Sequence, residues 1–134
     1  MNISTFDELL QAARLQPEPQ RLLFVFADAQ LPEDATAEQR ASFEAAEGGT
    51  LVPLMTAHKA PDELTGFQAL ADESCGFGPD WRIVFAAAMS GTGGKQPTSV
   101  DAEAALLRMV DAIKLGAIGA LIPFDRHGLA VDLG

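Results

Sequence analysis

The residues whose types and spacing could do chemistry follow the apolar run RIVFAAAM: Ser90, Gly91, Thr92, Gly93, Gly94 and Lys95, within SGTGGKQPTS. Glycine amides can close around an anion, a lysine adds charge, and a helix beginning near Ser99 would aim its positive end at the same place. The spacing is not that of a nucleotide-binding P-loop. Met89 stands where the first glycine belongs, Gln96 follows the lysine in place of Ser or Thr, and Pro97 holds Gln96 extended and separates lysine from helix. Asp101 and Glu103 already occupy the first helical turn and would resist a nucleotide phosphate. Two readings stay open, a small-anion loop and a flexible connection, and glycine-rich composition favours the connection.

A second set of basic residues falls near the same level. Lys59 and Lys95 lie just after predicted strands, and His58, Arg126 and His127 join them, which in an acidic chain would make a locally positive rim. Solvated loop side chains are the commoner identity of such residues. Asp28, in FADAQLPED, can orient a ligand hydroxyl or bind a cation with Asp34, although turn carboxylates are usually only solvated. The two histidines and Cys75 have no metal-ligand spacing, so no metal is expected. Nucleophilic catalysis would need His58 or His127 beside Ser90 or Cys75, and no nucleophile elbow is present. The candidate ligand positions are therefore Asp28, His58, Lys59 and residues 90–95, with no catalytic residue and no cofactor. Phe24, Phe26, Phe67 and Phe85 sit inside elements and read as core.

The totals bound what these residues can serve. A chain of 134 residues fits one domain and buries enough surface for a self-sufficient core. Nineteen Asp and Glu against nine Lys and Arg leave a formal charge of −10, which repels nucleic acid and anionic lipid. MNISTFDELL lacks the basic and apolar regions of a signal peptide, and no apolar run approaches the ~20 residues of a membrane span. Cys75 is the only cysteine, so an internal disulfide is excluded and a reducing compartment, the cytoplasm, is expected.

The elements that must position the candidates follow from patterning. Thr5 with Glu8 reads as a capping box opening a helix whose Phe6, Leu9, Leu10 and Ala13 share a face until Pro17 and Pro19. RLLFVFA (21–27) has the unbroken apolarity of a strand covered on both faces. Thr36 with Gln39 caps a second, apolar-poor helix that ends at Gly48 and Gly49. TLVPLMTA (50–57) is a strand that Pro53 confines to an edge. Pro61 opens a third helix, with Ala60, Leu64, Phe67 and Ala71 inward, that Gly76, Gly78 and Pro79 break. WRIVFAAAM is a third strand, and Ser99 caps a fourth helix whose Leu106, Met109, Val110 and Ile113 form the core stripe, stopped at Gly116. AIGALIPFDRHGLAVDL reads as a hairpin turning at Asp125 to Gly128. Helix, three strand-helix units and a hairpin imply an α/β fold: a mostly parallel sheet of about five strands in the flavodoxin-like order 2-1-3-4-5, the last antiparallel, in a three-layer sandwich. A two-layer sandwich is the alternative. Ligands in such sheets bind beyond the carboxyl ends of the strands where the order reverses, and the glycine loop falls there.

Taken whole, FDELLQAARLQPEPQRLLFVFA, GGTLVPLM and MVDAIKLGAIGA resemble a small family of uncharacterised proteobacterial proteins, some of them labelled ribonucleotide reductase subunit alpha. The similarity spans the chain but rests on structural segments. That catalytic subunit is a much larger barrel using several cysteines, which Cys75 alone cannot supply, so the resemblance implies no such catalysis here. The reading reached is a non-catalytic cytosolic module acting by protein-protein or self-association, through the proline-bearing second strand and the alanine-rich second helix. The alternative is a binder or enzyme for a small anionic metabolite, with Lys95 and the loop glycines as cradle and Asp28 as orienting group.

Overall fold

The computed structural model describes residues 3–30, 50–75, 81–115, 117–119 and 121–131. The second helix expected from Thr36, together with Asp34, Gly48, Gly49, Gly76, Gly78, Pro79 and Gly116, lies outside the described residues, as does the side chain of Cys75.

Helix α1 (Phe6–Arg14) forms as its capping box requires: Glu8 N–H donates to Thr5 Oγ1 at 3.2 Å, and the Glu8 carboxylate accepts from Thr5 N–H at 3.1 Å. Ser4 adds its hydroxyl to the same carboxylate at 2.6 Å, and this bond is the main cause that holds Glu8 below the usual carboxylate range. Phe6, Leu9, Leu10 and Ala13 form the buried face.

Among the described residues four strands follow: β1 (Gln20–Gln30), β2 (Thr50–Lys59), β3 (Ile83–Ser90) and β4 (Ile122–Phe124). Their lateral order is β2-β1-β3-β4, and every neighbouring pair is antiparallel. This overturns the mostly parallel five-strand sheet and makes the fold α+β. Unbroken apolarity in RLLFVFA and RIVFAAAM reports cover on both faces and carries no information about strand direction. Leu22, Phe24 and Phe26 pack with α1 and with α2 (Phe67–Cys75), while Leu23, Val25 and Ala27 pack under α3 (Ser99–Lys114) on the other face. Helices thus cover both faces, in three layers. The connection through α2 does join two strands of the same sense, β2 and β3, but β1 lies between them and opposes both. The edge position of β2 agrees with Pro53. That residue sits opposite Ala27 beside a bulge, and the Ala27 carbonyl accepts from Arg82 N–H on the far side, so no β1 partner waits for the N–H that proline lacks.

Two further elements differ from the sequence reading. Pro61 opens only a short 3-10 turn (Pro61–Glu63), clamped to α1 by Arg14, whose guanidinium donates to the carbonyls of Pro61 and Leu64 at 3.3 and 2.7 Å. Helix α2 begins afterwards, past Gly66. The fifth strand is replaced by a turn, Asp125 to Gly128, and by single bridges of Leu129 to Thr5 and Ala130 to Phe124. The cap of α3 is Thr98, one residue earlier than Ser99, and it forms a capping box with Asp101. Ala102, Leu106, Met109 and Ile113 are the buried stripe of α3.

Candidate functional site

The glycine loop is a closed turn. Thr92 and Lys95 exchange N–H to carbonyl bonds of 3.1 Å across Gly93 and Gly94, whose φ values of +60° and +76° put both central residues in the left-handed region, the pattern of a type I′ turn. The remaining amides are largely engaged: Gly91 N–H donates to the Pro19 carbonyl at 2.8 Å, and Gly94 N–H donates to the Glu18 carboxylate at 2.9 Å. A Cβ on Gly91 would stand 1.8 Å from the Lys95 carbonyl oxygen. The glycines therefore serve the backbone's own path, and an anion arriving at the loop meets Glu18 already in place. The start of α3 is likewise satisfied from within, by Thr98 and Asp101.

Alternating strand sense separates the other candidates. Ser90 pairs with Gln20, whose side-chain amide donates to Ser90 Oγ at 2.8 Å, and His58 and Lys59 pair with Leu23 and Leu22 at the same end of the sheet. Asp28 lies eight residues further along β1 than Gln20, about 26 Å away at 3.3 Å per residue. There it approaches Arg82 at 3.8 Å. Arg126 and His127 follow β4 at that far end too, with the Arg126 guanidinium 4.6 Å over the Trp81 ring and donating to the Trp81 carbonyl at 2.8 Å. The expected single rim is therefore divided between opposite ends, because antiparallel neighbours send their carboxyl ends in opposite directions. His58, Lys59 and residues 90–95 stay together, while Asp28 does not join them.

What gathers around His58 and Lys59 is a cavity of about 440 Å³ along the outer edge of β2. Leu70, Glu73 and Ser74 of α2 wall it on one face of the sheet, and Glu103 and Leu106 of α3 wall it on the other. Strand β2 forms its floor. The bond from Gly91 N–H to the Pro19 carbonyl fixes the phase of the ladder: odd residues of β1 turn their backbone groups to β3 and even ones to β2. Met55, Ala57 and Lys59, opposite Phe26, Phe24 and Leu22, thus bond to β1, and the backbone groups of Thr56 and His58 face outward into the cavity. Among the described residues no strand lies beyond β2.

Four of the polar side chains here, His58, Lys59, Glu73 and Ser74, are held in place. Arg21 Nε donates to His58 Nδ1 at 2.7 Å, which places the imidazole proton on Nε2, and Arg21 Nη1 reaches Gln96 Oε1 at 3.2 Å and Glu63 at 3.9 Å. Lys59 Nζ donates to Glu73 Oε1 at 2.7 Å. The Ser74 hydroxyl donates to the Ala71 carbonyl and accepts from Trp81 Nε1, both at 2.7 Å. Glu103 has no such partner among the described residues. Arg21, Thr56, Glu73 and Glu103 are the positions that sequence reasoning missed, and only the edge-strand signal of Pro53 pointed toward them.

A shallower hollow of about 320 Å³ lies beside the C-terminal half of α3, between Leu23, Ala87 and Met89 of the sheet and Ala105, Arg108 and Ala112 of the helix. Among the described residues no three His, Cys, Asp or Glu side chains are placed to hold a metal ion, and no helix is long and apolar enough to cross a membrane. No protein family, curated protein or solved structure matches this chain.

Proposed function

We propose that this protein is a non-catalytic cytosolic module that acts by protein association, and that the groove along β2 is its docking surface. One observation carries the reading: an edge strand with outward-facing backbone groups lies at the bottom of a cleft walled by two helices. Main-chain groups in that position are what strand addition uses. The groove's two basic side chains are held, His58 by Arg21 and Lys59 by Glu73, which suits fixed recognition groups better than a base poised beside a nucleophile. The lone Cys75 and the charge of −10 support a reducing, soluble setting. The anionic-metabolite alternative through Ser90 to Lys95 would need Glu18 to surrender the Gly94 N–H.

The test is site-specific photo-crosslinking in cells, with the photoreactive residue at position 55 in the groove or at position 107 on the exposed side of α3. Adducts are expected from position 55 and should be lost in Thr56→Pro, which removes an outward N–H without touching the bonds to β1. Equal adducts from both positions, or none from position 55, contradict the reading.

A further inference from the structure

We infer that the groove receives an extended, positively charged segment of a partner protein, added outside β2 as a further strand with its cationic side chains turned toward Glu103. This rests on the docking reading above and specifies its occupant.

The two walls differ in chemistry. Met55 and Ala57 face the α2 side, where Leu70 continues an apolar surface, whereas Thr56 and His58 face the α3 side, where Glu103 stands. An added strand alternates its side chains between those walls, so it needs apolar residues on one face and polar ones on the other. Charge then selects the polar face. Glu73 is already neutralised by Lys59 at 2.7 Å and Arg21, the cation behind His58, faces Glu63 at 3.9 Å, while Glu103, exposed on the opposite wall, has no cation among the described residues. A second copy of the chain would bring the same carboxylates and a charge of −10 to the groove, so the complementary occupant is a cationic segment of another protein. Thr56 and His58 provide the outward main-chain groups, and His58 Nε2–H, oriented by Arg21, provides a fixed donor beside them. Pro53 offers no N–H and limits pairing to the stretch that follows it.

The experiment titrates the full chain with a nine-residue peptide of alternating valine and lysine, and with its valine-glutamate counterpart, by calorimetry at low salt. The lysine peptide should bind and the glutamate peptide should not, added salt should weaken binding, and Glu103→Lys should weaken it by about fivefold. Thr56→Pro should remove binding altogether, and Glu103→Lys, on an exposed helical position, still decides between the outcomes if Thr56→Pro fails to fold. Equal binding of both peptides, preference for glutamate, no binding of either, or indifference to Glu103→Lys overturns the inference. Light scattering separates it from the docking reading: a dimer of the chain that Thr56→Pro dissolves would keep the docking edge but make the occupant a second copy, which overturns the cationic partner.

Discussion

Phe6→Ala should lower the unfolding free energy by about 3–5 kcal/mol, the range reached by truncating a fully buried aromatic ring. Phe6 is 1% exposed, and its ring stands 5.7, 5.4 and 5.6 Å from the rings of Phe24, Phe67 and Phe124. One side chain therefore joins α1, β1, α2 and β4. Two of these contacts are edge-on, the arrangement that adds to area burial, and the aromatic rings around it are too rigid to fill the cavity an alanine would leave. Its backbone N–H also donates to the Gly128 carbonyl at 2.8 Å, so loosening α1 frees the turn after β4. Urea denaturation followed by tryptophan fluorescence measures the loss, since Trp81 packs against Phe67 and Phe26 in the same cluster. A loss under about 1 kcal/mol would place Phe6 outside the core.

Gly91→Ala comes next, at about 3 kcal/mol, and differs in kind. Its added carbon would lie 1.8 Å from a backbone oxygen, that of Lys95, which no rotamer change can relieve. Either the bond to Pro19 or the Thr92–Lys95 bridge must open. Gly93→Ala is the control: that residue has φ +60° and nothing within 4 Å of the added carbon, so it meets only the left-handed backbone cost of about 1–2 kcal/mol. If thermal or urea unfolding shows the two substitutions to cost the same, the turn is looser than its bonds imply.

How much of this was legible in the sequence depends on the range of each interaction. The Thr5–Glu8 capping box spans three residues and was readable, as was the centrality of β1 and β3, because RLLFVFA and RIVFAAAM present no polar face to solvent. Pro53 placed β2 at the edge by its missing N–H alone. Strand direction was not readable, since double burial of β1 is the same whether its neighbours run with it or against it. That misreading displaced Asp28, Arg126 and His127 by the length of the sheet. The glycine loop was ambiguous for another reason: consecutive glycines serve an anion nest and a type I′ turn equally, and only the partners of the amides, Glu18 and Pro19 among them, distinguish the two. The bond between Arg21 and His58 spans 37 positions and exists only once the β1–β2 register is set.

The proposed function requires β2 to offer its outer edge to a partner strand. Amide hydrogen exchange along β2, read residue by residue, tests it directly. In the free chain Thr56 and His58 should exchange at least about tenfold faster than Met55, Ala57 and Lys59, and on addition of the valine-lysine peptide the two fast amides should slow to match the others. Uniform slow exchange from Met55 to Lys59 in the free chain, or no slowing of Thr56 and His58 on peptide addition, would contradict it.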